Sequence, residues 1–235
     1  MKELIGTSGY NYPEWRGSFY PPTFPTSKML AYYAERFSTV EINYTFYRMP
    51  SAKTIAGWDR ETPAGFCFAL KAPKRITHDA RLRNVGEPLG YFLDTARGLG
   101  GKLGPILFQL PPNFKKDLGR LGDLLALLPP DLRYAFEFRH PSWFADDVYA
   151  ELRGTNAAVC IADTEAGTTP LVTTGDFGYL RLRDAGYSEA DLAEWHLTVR
   201  RLGSAGRDIF VYFKHEESGV GPALARALDR LLRAS

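Results

Sequence analysis

The sequence predicts an α/β fold, a TIM-type (β/α)8 barrel formed by one domain over residues 1–235. Three observations predict it. Eight short apolar runs recur at a period of about 29 residues, close to the roughly 30 that one βα unit needs. Helical stripes fill most of the intervals between them. Each run also carries a polar residue at or next to its end, as expected where barrel strands deliver side chains to a site at their C-terminal ends.

The runs are 4–8, 39–43, 66–71, 105–110, 134–139, 158–163, 179–183 and 209–214. Between them, Leu30, Ala34 and Phe37 form a stripe after Thr26 and Ser27, which can cap. Leu118, Leu121, Leu125 and Leu128 form another, stopped by Pro129 and Pro130. Leu192, Trp195, Val199 and Leu202 precede Gly203, and Ala223, Leu224, Ala227, Leu228 and Leu231 close the chain. The interval from 163 to 179 is too short and too rich in Thr and Gly for a full helix, so the crossover after strand six is irregular. An open doubly wound sheet is the competing fold. Its dinucleotide fingerprint follows a strand, whereas the only glycine cluster here, GLGGKLG at 98–104, precedes one.

Composition excludes several classes. Hydrophobic residues at 45% and charged residues at 24% are globular values, not those of a disordered or fibrous chain. A net charge of +2 does not describe a protein coated in base for gripping DNA, although a local basic cleft is compatible with it. Cys67 and Cys160 lie inside apolar runs and read as reduced core residues. No apolar run approaches the roughly 18 residues of a membrane span, so no membrane partner is expected. The opening MKELIGTSGY shows no signal-peptide core, which gives a cytoplasmic expectation.

Alternation sorts each strand into two faces. Val40 and Ile42 oppose Glu41 and Asn43; Phe68 and Leu70 oppose Cys67 and Lys71; Phe136 and Phe138 oppose Glu137 and Arg139; Leu180 and Leu182 oppose Arg181 and Arg183. The apolar sets suit the layer beneath the helices, so the polar sets should point into the barrel, joined by Ser8, Gln109, Asp163 and Lys214. Glu41, Glu137 and Asp163 then face Lys71, Arg139, Arg181, Arg183 and Lys214. Unpaired buried charge costs several kcal/mol, so the carboxylates should pair with bases, and the surplus base is left for an anion. The bland reading is an ion-pair network that merely plugs the mouth.

Two loops add candidates. The glycine-flanked loop 6–17 carries Tyr10, Tyr12 and Trp15, which either face a ligand or pack over the barrel. The loop after strand three adds Lys74, Arg75 and His78. Glu41, Glu137, Asp163 and His140 are the groups that would have to converge on a divalent metal, but the neighbouring Arg and Lys oppose one, and His140 falls on the outward side. No cofactor is therefore predicted. Neither a P-loop nor a Gly-x-Ser-x-Gly elbow is present.

With these residues in view, the chain resembles the YecE-like family, a family of unknown function whose members form TIM-type barrels. The resemblance rests on IGTSGY at 5–10, WRGSFYP at 15–21, VEINYTFYR at 40–48, FALK at 68–71, ITH at 76–78, LGPILFQLPP at 103–112, and EFRH at 137–140 with Trp143. It implies the fold and no reaction. Two places depart from the family pattern: Arg181-Leu-Arg183-Asp184, where the family commonly reads Arg-x-His-Gly, and Phe213-Lys-His-Glu216, where it tends to an Asn-rich turn. A role resting on that family His does not carry over.

The functional expectation is an enzyme for a phosphorylated or other anionic substrate, with hydrolysis favoured over isomerisation and so a hydrolase as the expected class. Glu41, Lys71, Glu137 and Asp163 are its catalytic candidates; Ser8, Tyr10, Asn43, His78, Gln109, Arg139, Arg181, Arg183 and Lys214 are its binding candidates. A non-catalytic nucleic-acid-binding module, or a small-molecule sensor, is the alternative.

Overall fold

A computed structural model describes residues 1–234. Nine strands form among the described residues: β1 (Glu3–Thr7), β2 (Thr39–Ile42), β3 (Cys67–Lys71), β4 (Leu103–Gln109), β5 (Tyr134–Glu137), β6 (Ala158–Thr164), β7 (Gly167–Thr168), β8 (Phe177–Leu182) and β9 (Asp208–Phe213). The helices are α1 (Met29–Ala34), α2 (Tyr44–Tyr47), α3 (Ala52–Arg60), α4 (Gly86–Ala96), α5 (Leu118–Ala126), α6 (Asp146–Gly154), α7 (Glu189–Gly203) and α8 (Val220–Ala234). Eight strands run parallel in the order β1-β9-β8-β6-β5-β4-β3-β2, a nearly closed barrel, and β7 folds back antiparallel on β6.

The face assignment from alternation describes two cores. Outward residues such as Phe68, Ile106, Phe136, Ile161, Leu180 and Val211 pack beneath the helices. The inward cluster pairs large rings with small side chains. Phe177, Tyr179, Phe210 and Tyr212 of β8 and β9 fill the space left by Ala69, Ala135 and Ala158 of β3, β5 and β6. That largely apolar plug occupies the inward face below the strand ends; Thr39 Oγ1 and the Tyr212 hydroxyl pair within it at 2.7 Å, and the charged groups lie toward the C-terminal end.

The helices start where local chemistry ends a strand or loop. Asp117 accepts the Arg120 N–H at 3.1 Å to begin α5, and Ser188 with Asp191 forms a reciprocal capping box for α7. Thr26 and Ser27 do not cap α1. They sit in a 3-10 turn, Thr26–Lys28, that feeds the helix without a side-chain cap. The crossover from β6 to β8 contains no helix; the β6–β7 hairpin and an extended segment replace it. Threonine hydroxyls do part of the pairing there. Thr174 Oγ1 accepts the Val159 N–H at 2.7 Å, and Thr169 Oγ1 accepts that of Ala162 at 2.9 Å.

The seam lies between β1 and β2. The two strands meet through a single bridge, Ser8 to Glu41, where the Gly9 N–H donates to the Glu41 carbonyl at 2.8 Å. Below it the Tyr33 hydroxyl of α1 enters the gap, accepting from the Thr7 N–H at 2.9 Å and donating to the Thr39 carbonyl at 3.0 Å. Gly6 makes the approach possible, since a Cβ there would stand 2.3 Å from the Thr39 carbonyl oxygen.

Candidate functional site at the barrel mouth

Arg181 lies on the inward face of β8, fully buried. Its Nε donates to Glu41 Oε2 at 2.9 Å and its Nη2 to Glu41 Oε1 at 2.8 Å; its Nη1 donates to Glu137 Oε2. Each carboxylate has further donors. Glu41 accepts from Ser8 Oγ at 2.5 Å and from the Tyr179 hydroxyl at 2.7 Å. Glu137 accepts from Gln109 Nε2 at 2.9 Å and from Arg139 Nε at 2.9 Å. Burial alone would raise both carboxyl pKa values, but the Arg181 charge and these hydrogen bonds outweigh it and hold both below the usual range. Burial opposes the Arg181 charge too, and the two carboxylates more than restore it. Desolvating such ions costs several kcal/mol each, which only saturated hydrogen bonding offsets.

Lys71, at the end of β3, is also buried, and its Nζ sits 3.9 Å from the centroid of the Phe46 ring. Among the described residues it has no ion-pair or hydrogen-bond partner for that amine. Burial and the Arg181 charge push its pKa down to about 7, against the pull of Glu41 and Glu137. His78 follows in a single π-helical turn, Arg75–Asp79, a local distortion frequent at functional sites. Its Nδ1 lies 2.9 Å from Thr77 Oγ1 and its ring meets Phe46 edge-on. Burial and the nearby Lys71 lower its pKa to about 4, so the imidazole is neutral at pH 7.

Beside this cluster opens a cleft of about 660 Å³, bordered by Glu137, Arg139, Phe144, Thr164, Thr168 and Arg183. The β6–β7 hairpin builds one wall. Arg139 pairs with Glu137 and remains 30% exposed. Arg183 is half-buried, and its guanidinium has no ion-pair or hydrogen-bond partner among the described residues. Burial and the neighbouring Arg139 lower its pKa.

The structure thus brings together Ser8, Glu41, Asn43, Gln109, Glu137, Arg139 and Arg181 in one network, with Lys71 and His78 against it and Arg183 at its edge. Asn43 Nδ2 donates to Ser8 Oγ at 2.8 Å. Asp163 is a correction. On β6 the inward parity belongs to Ala158 and Cys160, so Asp163 shares the outward side of Val159 and Ile161. Its partners are the hydroxyls of Thr168 at 2.5 Å and Tyr187 at 2.6 Å, not a base of the ring. Lys214 has inward parity but stands at the rim, 3.4 Å from Glu216. Of the loop aromatics, Trp15 is fully buried among Tyr12, Phe19 and Tyr20, whereas Tyr10 and Tyr12 border a smaller pocket with Trp58. The two segments that depart from the family pattern touch: a His215 ring nitrogen lies 2.6 Å from the Asp184 carbonyl.

Sequence reasoning missed Tyr179, Phe46 and the β6–β7 hairpin. Tyr179 was findable, because it lies two residues before Arg181 on the same face. Among the described residues no three His, Cys, Asp or Glu side chains gather as a metal site, and Arg181 stands between Glu41 and Glu137. His140 instead meets Ser142 Oγ at 2.9 Å. Among those residues no helix is long and apolar enough to cross a membrane.

Comparison with known proteins agrees with this architecture. A crystal structure of a DUF72 family protein from Thermotoga maritima superposes with a TM-score of 0.87 at 26% identity, covering 99% of this chain and all of that one. A DUF72 protein from Enterococcus faecalis shares the fold at 18% identity, with a TM-score of 0.82 over 99% of this chain and 96% of that chain. In sequence, the UPF0759 protein YecE of Escherichia coli is 35% identical over 142 residues, 60% of this chain. That match spans about half the length of YecE. The UPF0759 protein YunF of Bacillus subtilis is 25% identical across 92% of this chain and 89% of its own length. The family described as "Protein of unknown function DUF72" matches residues 4–235, and the chain belongs to that family.

Proposed function

We propose that the barrel mouth is an active site for a small phosphorylated or other anionic substrate, with hydrolysis as the reaction class. One observation carries the reading: Arg183 borders the 660 Å³ cleft beside Arg139, a guanidinium without a partner in a half-buried place. Two planar forks side by side suit a phosphate or carboxylate. The cleft is within the size range of small-molecule sites, about 300–1,000 Å³. Lys71 is the group suited to carry a proton, because its amine is half-deprotonated near neutrality. Glu41 and Glu137 have their oxygens occupied and are held ionised, so they serve as positioning residues that fix Arg181 and Arg139.

The experiment is a thermal-shift series with inorganic phosphate, sugar phosphates and nucleotides on the wild type and Arg183→Ala. A ligand at 100 times its Kd stabilises by about 2.7 kcal/mol, a shift of a few degrees for this size. A shift lost in Arg183→Ala, followed by phosphate release from the same compound, supports the reading. No shift with any small anion, or a steeply salt-sensitive shift with oligonucleotides alone, overturns it in favour of the nucleic-acid module.

A further inference from the structure

One buried amine at the barrel mouth is left without a counter-ion beside two carboxylates. Lys71 ends β3 and is only 7% exposed, yet its Nζ pairs with neither Glu41 nor Glu137. Both are already occupied. Arg181, Ser8 and Tyr179 bind Glu41, while Arg181, Gln109 and Arg139 bind Glu137. Nor does any other described residue accept from the amine. A lysine kept for structure finds acceptors, as Lys102 does in the Asp59 and Thr62 carbonyls.

The surroundings hold this amine in place and leave it reachable. Helix α2 docks on β3 through Thr45, whose hydroxyl donates to the Lys71 carbonyl at 2.6 Å. The next residue, Phe46, sets its ring 3.9 Å from Nζ, and His78 meets the same ring edge-on. Unpartnered as it is, Nζ is not sealed from solvent, unlike Asn43 Oδ1 or Trp15 Nε1. Burial and the Arg181 charge leave about half of the amine neutral at pH 7, against on the order of one in a thousand for an ordinary exposed lysine. Its lone pair is then free, the condition for attack on a carbonyl carbon.

We infer that Lys71 is a covalent site for a small aldehyde or ketone that carries a phosphate or carboxylate. Nζ adds to the carbonyl carbon, the carbonyl oxygen leaves as water with both amine protons, and a C=N bond remains. Water adding back reverses the step, so no oxidant or reductant is consumed. Protonated, the C=N nitrogen stays a cation beside the Phe46 face, where the ring favours it. The ligand's charge rests on the reading of Arg139 and Arg183 as an anion site, and Arg139 is close enough to Lys71 to disfavour its charge. The covalent step rests on Lys71 alone.

The test is cyanoborohydride trapping on the full chain at pH 7, stopped early, with glycolaldehyde phosphate, glyoxylate and, as the uncharged comparator, glycolaldehyde. Reduction turns the imine into a stable secondary amine that peptide mass mapping locates. At least one anionic probe gives one adduct per chain, on Lys71, at about ten-fold or more the occupancy of any other lysine. Lys71→Met abolishes it, and Arg183→Ala raises the half-saturating concentration about ten-fold. An adduct spread evenly over the lysines, or none at Lys71 with any of the three probes, overturns the proposal and leaves the anion reading to its own thermal-shift test. Equal trapping of glycolaldehyde at Lys71, unchanged by Arg183→Ala, overturns the anionic ligand class instead.

Discussion

Arg181 grips both carboxylate oxygens of Glu41, at 2.9 and 2.8 Å, although β9 and β1 lie between their strands in the ring. The contact therefore braces the interior across the barrel, not along neighbouring strands. Arg181 also binds Glu137, so one guanidinium joins β2, β5 and β8.

Removing that guanidinium strands two buried carboxylates. Arg181→Met loses about 3–5 kcal/mol in urea unfolding, despite a similar volume. Adding Glu41→Gln and Glu137→Gln to it recovers part of the loss, because neutral amides tolerate burial better than unpaired charge. A triple variant less stable than Arg181→Met would show that the charges are not the source of the penalty.

The same carboxylates set an acid limit. Both have folded pKa values below the ordinary 4.5 that they regain on unfolding. Their contribution is complete above about pH 4.5 and is lost as pH falls from there through the folded values. Glu137→Gln is accordingly less stable than wild type at pH 7, and the gap narrows below pH 4.5. Melting curves between pH 7 and pH 3 measure it; a gap that stays constant would contradict the ion-pair account.

Lys71 also makes stability rise with pH, but as a cost at neutrality where the carboxylates give a gain. Its pKa of about 7 lies below the ordinary 10.5, so the unfolded chain binds more protons between those values and Lys71 makes stability rise with pH across that window. Carbamylation by cyanate, followed peptide by peptide in a mass spectrometer, places its midpoint near pH 7. Titration alongside the surface lysines would refute a depressed amine. Lys71→Met removes the burial cost and raises stability at pH 7 by about 1 kcal/mol or more.

The seam gives a prediction about packing. Tyr33→Phe leaves the Thr7 N–H and the Thr39 carbonyl without their buried partner and costs about 1–3 kcal/mol. Gly6→Ala drives a methyl against the Thr39 carbonyl and costs a comparable or larger amount. Denaturant midpoints decide both, and a wild-type midpoint in Gly6→Ala would mean that β1 and β2 stand further apart.

Much of this was legible in the residues. Period and alternation located all eight barrel strands and placed Glu41, Lys71, Glu137 and Arg181 inside, because burial on both faces leaves only parity to separate core from interior. Asp163 escaped because the run containing Ala158, Cys160 and Ala162 has small apolar residues on its inward face, so hydrophobicity no longer marks the outward one. The saturation of Glu41 and Glu137 by hydrogen bonds was not readable either. It depends on contacts across the barrel, such as Tyr179 to Glu41, between residues 138 positions apart. The smaller pocket was half visible in Tyr10 and Asn43, but Trp58 reaches it from α3, whose pattern announces only a helix packed on a sheet.

The one-bridge seam also gives the barrel a hinge line. Parting β1 from β2 breaks less backbone pairing than opening any other junction of the ring. Ser8 and Glu41 form that bridge, so the charged interior is reached first along this slit. Amide exchange should therefore run fastest around the ring at Thr7 of β1 and at Gly9 just beyond it, well before the sheet dissolves.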